Sequence, residues 1–331
     1  MRKFEEEQTQ NLFEKKFITE EQLNQIKNYR SLDVFSLNAE LKMFLYISVL
    51  LFTSGVGILI YKNIDTIGHI AILSLLLIVA IVSFYFCFKN SKGFQKSETI
   101  FESPVLEYLV LVANILTCIF IGYLQFQYEL FGTNYGLATL IPTIVSFFCA
   151  YYFDNKSVLT IAITGLAAYI GFSVTPQDLL DNDFYSNENL SYSAIMLGLL
   201  LIFWTIYSTR IALKIHFNLI FQTFALHIIS IALINNLLKW YSDLWLLVII
   251  PIALSSFYFY KVSLSLKAIS IYVFMIIYAY IGVSIFLFRI IEIMEANRMD
   301  DFILFTSPIY ITVSILLFIK LIKDFNKRVA Q

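Results

Sequence analysis

The chain has 331 residues, of which 59% are hydrophobic and 14% are charged, and its formal net charge at pH 7 is −1. A soluble domain has roughly 45–50% apolar and about 25% charged residues, so this composition excludes an ordinary water-soluble fold. The nearly neutral net charge also excludes the global basic field that attracts nucleic acid, and we expect no nucleic-acid partner.

Residues 1–40 are polar and are predicted to form a separate cytoplasmic helical module. Thr19, followed three residues later by Gln22, is typical of a capping box at the start of a helix. This pattern predicts a helix over about 20–30, and a preceding helix is expected over about 3–16. Helices this short are not stable alone, so we expect the module to dock on a second copy, a partner protein or the membrane surface. The alternative is a solvated hairpin that only leads into the first span.

Ten apolar blocks of about 17 to 25 residues follow, a length that matches the hydrocarbon core of a bilayer, which is about 30 Å thick. They are predicted at residues 41–61, 67–88, 105–126, 137–153, 158–174, 192–210, 214–236, 243–260, 265–288 and 303–322. The transmembrane domain therefore covers residues 41–322, and a basic cytoplasmic tail covers residues 323–331. The predicted fold class is all-α, a polytopic transmembrane helical bundle of about ten spans.

The distribution of basic residues predicts the orientation of these spans. If the N-terminus is cytoplasmic, all but four of the 23 Lys and Arg residues lie in inner segments, and the exceptions are Lys62, Lys239, Arg289 and Arg298. The longest outer loop, 175–191, carries acidic residues and no base. Lys and Arg accumulate in cytoplasmic loops. The sequence therefore predicts a multi-pass protein of the cytoplasmic membrane with both termini on the cytoplasmic side.

Two local patterns predict close packing of helices. The fourth and fifth spans are joined only by Asp154, Asn155 and Lys156, which indicates a tight helical hairpin. Gly55 and Gly57 in the first span are typical of positions where two transmembrane helices approach closely.

The beginning of the chain resembles the prokaryotic membrane proteins of the family named domain of unknown function 2157. Those proteins open with a segment of the form G-x-I-(S/T)-x-E-Q, followed by a first span rich in small residues and a short outer turn. The matching stretches are KKFITEEQLNQI at 15–26 and LLFTSGVGILIYKNIDTIGH at 50–69, with Phe17 in place of the glycine and Ile64 in place of a tryptophan. The resemblance implies a membrane protein and no assigned activity.

Polar residues within the spans are the candidates for function, because they are costly at membrane depth. The seventh span carries Thr223 and His227 on one helical face and Asn218 and Gln222 on another, and Asn114 lies in the third span. These side chains could form a polar site at the midplane that binds a substrate or relays a proton. The favoured alternative is that they hydrogen-bond between helices and stabilise packing.

Three spans that enter from outside carry prolines near their outer ends: Pro142, Pro251 and Pro308. A proline removes a backbone hydrogen bond and can kink its helix. These kinks could shape an outward-facing vestibule, although proline is also ordinary in transmembrane helices.

The sequence contains no H-E-x-x-H, no G-x-S-x-G, no glycine-rich phosphate loop and no Cys/His metal spacing. Its three cysteines, Cys87, Cys118 and Cys149, lie inside apolar blocks and are interpreted as packed hydrophobic side chains. We therefore expect no enzymatic activity, no cofactor and no metal site.

Two functions remain as hypotheses. The first is a non-enzymatic membrane protein in which residues 1–40 associate with a second copy or dock a protein partner. The lipid bilayer is expected as a further partner of the protein. The second is a small-molecule transporter in which spans one to five and six to ten form inverted repeats. An enzyme acting on lipid is disfavoured by the missing catalytic motifs.

Overall fold

A computed structural model describes residues 13, 18–31, 37–99, 104–132, 134–174, 188–238, 245–293 and 299–330. The described chain is 89% helical and contains no strand, which confirms the predicted all-α class. Its eleven α-helices are α1 (Glu20–Ser31), α2 (Leu37–Ile67), α3 (His69–Lys89), α4 (Pro104–Tyr128), α5 (Tyr135–Phe153), α6 (Lys156–Val174), α7 (Glu188–Arg210), α8 (Asn218–Leu238), α9 (Ile249–Ser265), α10 (Ile269–Ile293) and α11 (Met299–Ala330). The chain divides into two compact units, Met1–Ser54 and Gly55–Gln331.

The first unit contains α1, which begins with the predicted capping box. The Thr19 N–H donates to Oε1 of Gln22 at 2.9 Å, and the Gln22 N–H donates to Oγ1 of Thr19 at 3.3 Å. These two bonds satisfy donors that the first turn of a helix otherwise leaves unpaired. The prediction of this cap is confirmed, whereas the helix predicted at 3–16 lies, apart from residue 13, outside the described residues.

Seven helices are long and apolar enough to cross a membrane, namely α3 to α8 and α10, with mean hydropathy between 1.6 and 2.8. Met43–Leu59 within α2 and the helix α9 are apolar but shorter, with 17 residues in α9. Seventeen residues span about 25 Å, somewhat less than the hydrocarbon core. Helix α11 occupies the last predicted span. The protein is therefore a multi-span membrane protein, and the total of ten crossings stays a prediction.

In the second unit, helices that follow one another in the chain pack side by side: α3 on α4, α5 on α6, α7 on α8 and α9 on α10. Helix α8 also packs against α10, and more than half of its most apolar stretch is buried. The predicted tight hairpin of α5 and α6 is present: Asp154 adopts left-handed geometry with φ 58°, and Asn155 accepts the Val158 N–H at 2.9 Å. An asparagine in this position caps the new helix directly after the turn.

The glycines that permit close helix packing differ from those predicted. A Cβ atom at Gly55 or Gly57 would have no described neighbour within 4 Å. A Cβ atom at Gly198 on α7 would lie 2.3 Å from Cγ1 of Ile229 on α8, and one at Gly165 on α6 would lie equally close to Oγ1 of Thr143 on α5. The close contacts therefore occur at α7–α8 and α5–α6, and the prediction for Gly55 and Gly57 was wrong for the described structure.

Candidate functional site

One polar face of α8 is joined to α7 by hydrogen bonds. The Asn218 side chain donates to Oγ1 of Thr209 at 2.8 Å, and the Gln222 side chain donates to Oγ1 of Thr205 at 2.6 Å. Gln222 Nε2 also donates to the Tyr258 hydroxyl on α9 at 2.9 Å. Asn218 and Gln222 therefore share a helical face, as the sequence predicted, and their hydrogen bonds join α8 to α7 and α9.

The other polar face of α8 is directed differently. His227 Nδ1 lies 2.8 Å from the Tyr278 hydroxyl on α10, and the His227 ring meets the Phe274 ring edge-on with centroids 4.7 Å apart. Thr223 donates to the Leu219 carbonyl of its own helix. His227 is thus separated from Gln222 and Asn218. Each of these three side chains has a hydrogen-bond partner on a neighbouring helix.

Asn114 on α4 is fully buried, and neither its amide nitrogen nor its carbonyl oxygen has a hydrogen-bond partner among the described residues. It lies one helical turn before Cys118, which lines a groove of about 450 Å³ between α4, α5 and α6. Hydroxyl side chains of α5 and α6 line much of this groove, and Pro142 lines it as well.

The three prolines occupy different positions within their helices. Pro142 and Pro308 lie inside α5 and α11. Pro251 lies in the first turn of α9, directly after the 3₁₀ segment Trp245–Val248, where a helix does not use the backbone N–H that proline lacks. Pro251 therefore marks the start of a helix.

A cluster that the sequence did not predict is the most strongly charged buried feature of the described chain. The side chains of Asp154 and Lys214 are both 0% exposed, and their carboxylate Oδ2 and ammonium Nζ atoms lie 3.1 Å apart. His216 Nε2 lies 2.6 Å from the other carboxylate oxygen of Asp154. We call Asp154, Lys214 and His216 the charged cluster.

The charged cluster joins three separate loops at one end of the helices. Asp154 lies in the α5–α6 turn, while Lys214 and His216 lie in the α7–α8 connection. The third loop follows α3: the Thr99 N–H and hydroxyl donate to Asp154, and the Lys214 ammonium donates to the Ser97 carbonyl at 3.2 Å. The cluster thus fixes the relative positions of three connections.

The backbone at the two charged ends of the cluster is left-handed. Asp154 has φ 58°, and Lys214 has φ 48°. Aspartate tolerates this geometry, but it is uncommon for a lysine. Such a conformation persists only where surrounding contacts enforce it. At Lys214 these contacts include its ion pair and a hydrogen bond from its own N–H to the Lys96 carbonyl at 2.8 Å.

The electrostatics keep Asp154 ionised. Burial raises the pKa of its carboxyl group, but the Thr99 N–H, the Lys214 ammonium and His216 outweigh burial and lower the pKa below its ordinary value. A lowered folded-state pKa stabilises the fold above the unfolded value of about 3.9. That contribution is lost as the pH falls through the lower folded value.

The charged cluster acts as a clamp, that is, its side chains bind the loops to one another. Both oxygens of Asp154 are engaged by donors, and Lys214 is held by a carboxylate and a carbonyl, so neither group is directed at an open pocket. Among the described residues no group of three or more His, Cys, Asp or Glu side chains could hold a metal ion. In the sequence, Lys214 and Asp154 resemble ordinary loop charges, and a pairing across 60 positions leaves no local signal.

These features define a class: an α-helical membrane protein with several spans, whose polar side chains join helices and loops. Residues 10–159 match the family model described as "Predicted membrane protein (DUF2157)". This match confirms the family resemblance and extends it through α5 to the first residues of α6, including Asp154 but not Lys214. No curated protein and no solved structure matches the chain.

Proposed function

We propose that the protein is a non-enzymatic multi-pass protein of the cytoplasmic membrane whose N-terminal module, residues 1–40, associates with a second copy or docks a partner protein. The observation that carries the proposal is the use of polar groups in the spans. His227, Gln222 and Asn218 each hydrogen-bond to a neighbouring helix. Bonds of this kind stabilise helix packing, which suits a rigid membrane platform.

The N-terminal module supplies the docking element in this proposal. Helix α1 has 12 residues, begins with a capping box and carries Glu20 and Glu21 in its first turn, where the helix dipole favours acidic side chains. A helix of this length is marginal in water even when it is capped. Such a helix therefore gains most of its stability by packing on another surface.

The proposed orientation has both termini in the cytoplasm. The three loops joined by the charged cluster all belong to segments that the basic residues predict to be cytoplasmic. Asn235 at the end of α8 donates to Ser191 at the start of α7 at 2.8 Å, and the same prediction assigns both ends to the outside. These contacts support the alternation of spans.

Deletion of residues 1–35 tests the docking function. We expect the full-length protein in detergent to have at least twice the mass of one chain and the deletion variant to have the mass of one chain, as measured by light scattering after size exclusion. The Thr19→Ala variant removes the cap of α1, and we expect it to shift the same equilibrium partly toward the single chain.

An exposed polar substitution in α1, Glu21→Gln, is the matched control, because it leaves both capping hydrogen bonds in place. It should keep the mass of the full-length protein. A deletion variant whose mass per particle equals that of the full-length protein would contradict self-association, and failure of any protein to crosslink to residues 1–35 in native membranes would contradict docking.

A small-molecule transporter is the second candidate. The groove of about 450 Å³ between α4, α5 and α6 favours it, because hydroxyl side chains line the groove and the unpartnered Asn114 amide lies one turn away. The packing of the two halves does not support inverted repeats. The extensive α5–α6 pair would correspond to α10 and α11, which make few contacts in the described structure.

A further inference from the structure

The groove between α4, α5 and α6 presents oxygen atoms that can accept hydrogen bonds. Five hydroxyl side chains line its α5 and α6 walls: Thr139, Thr143, Ser146, Thr160 and Thr164. Each of them donates its proton to a carbonyl of its own helix, at 2.7–2.8 Å. A hydroxyl oxygen that has donated its only proton still carries lone pairs, so the part of each group that is left for a ligand is an acceptor.

Two further groups on the walls of the groove have no proton to offer. Pro142 has no N–H, so the carbonyl of Ala138, four residues earlier, lacks the donor that a regular helix supplies. The Cys118 thiol lies 4.0 Å from the Ser146 hydroxyl. Because Ser146 donates its proton to the Pro142 carbonyl, the thiol is the donor in this contact. The described side chains that line the groove therefore offer acceptors and no free donor.

The groove also carries no charge. None of the described residues that line it is acidic or basic. An ion bound there would be buried without a counter-charge, which costs far more than the burial of a neutral polar group. The volume of about 450 Å³ lies in the range of sites that hold a small organic molecule. The groove therefore selects an uncharged molecule that carries hydrogen-bond donors.

Asn114 supplies both a donor and an acceptor beyond one end of the groove. Asn114, Cys118 and Gly122 follow one another at intervals of four residues on one face of α4, and the last two line the groove. Asn114 is fully buried, and its amide nitrogen and carbonyl oxygen both lack a hydrogen-bond partner in the described part of the chain. Buried polar groups are almost always paired, so this amide indicates a partner that the protein itself does not supply.

We propose that this groove binds a small uncharged polyol, a molecule with a hydroxyl group on each of several neighbouring carbon atoms. Its O–H groups donate to the threonine and serine oxygens, and one of its oxygens accepts from the Asn114 amide. Its C–H surface packs on the threonine methyl groups and on Ala168. This binding function goes beyond the docking by residues 1–40 and does not depend on it.

The depth of the groove favours a free molecule over the headgroup of a lipid. Ser146 lies near the middle of α5, about 16 Å from its first residue. Lipid headgroups lie outside the hydrocarbon core, which is about 30 Å thick, so a headgroup would have to leave the surface to reach Ser146. A free polyol can enter at Thr139, which lies in the second turn of α5.

Saturation-transfer difference NMR tests the proposal, because it detects weak binding of small ligands. The full-length protein is measured with xylitol in a detergent that has no sugar headgroup. We expect saturation transfer from the protein to xylitol and none to fully O-methylated xylitol, which keeps the oxygen atoms but has lost the donors. Choline chloride and sodium chloride should not displace xylitol, because the groove has no counter-charge for a cation.

Three variants separate binding in the groove from a change in folding. Thr143→Val removes a hydroxyl group from the groove wall and should weaken xylitol binding about fivefold, the effect of one hydrogen bond. Thr117→Val makes the same replacement on α4 outside the groove, where the hydroxyl donates to the Ala113 carbonyl at 2.9 Å, and should bind like the wild type. Gly122→Leu should abolish binding with the fold intact, because a Cβ atom there has no described neighbour within 4 Å and the longer side chain fills the groove.

Equal xylitol affinities of Thr143→Val and Thr117→Val would overturn the proposal. So would binding by Gly122→Leu at the wild-type affinity, saturation transfer to the methylated compound, or displacement of xylitol by either salt. A wild-type protein that transfers no saturation to xylitol would also overturn it, whatever mass the protein has in the test of residues 1–35.

Discussion

The Asp154→Asn variant is expected to lower the free energy of unfolding by about 3–5 kcal/mol, because Lys214 would stay buried without its counter-charge. Asparagine preserves the size of the side chain, so the change isolates the loss of charge. The measurement is denaturant unfolding of the protein in detergent, followed by tryptophan fluorescence. Trp204 is a suitable reporter, since its indole N–H donates to Tyr151 and Tyr151 packs on Phe217 beside the charged cluster.

Two controls identify the source of this effect. The double variant Asp154→Asn, Lys214→Met removes both charges, and most of the lost stability should return because no unpaired charge remains buried. Glu98→Gln breaks a solvent-exposed ion pair with Lys156, whose Oε1 and Nζ atoms are 2.8 Å apart, and should cost no more than about 1 kcal/mol. If Asp154→Asn cost no more than Glu98→Gln, the clamp role of the cluster would be wrong.

Gly198→Ala should have the second-largest effect, a loss of about 1–3 kcal/mol in the free energy of unfolding. The added methyl group would lie 2.3 Å from Cγ1 and 2.9 Å from Cδ1 of Ile229, so α7 and α8 would have to separate or Ile229 would have to change conformation. The same unfolding measurement in detergent gives the loss.

Gly122→Ala on α4 is the matched substitution, since a Cβ atom there would have no described neighbour within 4 Å. Replacement of a helical glycine by alanine without a clash should raise stability by up to about 1 kcal/mol. The two variants should therefore change stability in opposite directions. A gain in stability for Gly198→Ala would show that α7 and α8 are not closely packed at this position.

The helices were predictable because a bilayer imposes a simple rule on composition and length. The predicted span 105–126 lies within α4, and the predicted 137–153 lies within α5. Hydropathy reports only the apolar part of a helix, so it missed the polar extensions of α2 and α11. It also placed the eighth span too early, because α9 begins close to Pro251 and is preceded by a 3₁₀ segment.

The sequence was enough to identify the polar residues of α8, but it did not identify their hydrogen-bond partners. Helical spacing placed Asn218 and Gln222 on one face, and nothing in the spacing identifies Thr209 and Thr205 as the groups they meet. The charged cluster was missed for a related reason. His216 falls within the predicted seventh span, 214–236, and only the folded chain brings it to Asp154. Contacts between distant segments depend on how helices pack, which hydropathy does not encode.

We infer that the chain crosses the membrane an even number of times and that both of its ends lie in the cytoplasm. The most direct measurement fuses, to each end in turn, a fluorescent protein that folds only in the cytoplasm and a phosphatase that is active only outside it. We expect fluorescence and no phosphatase activity at both ends. Opposite results at the two ends would contradict it, because one span would then be missing or additional.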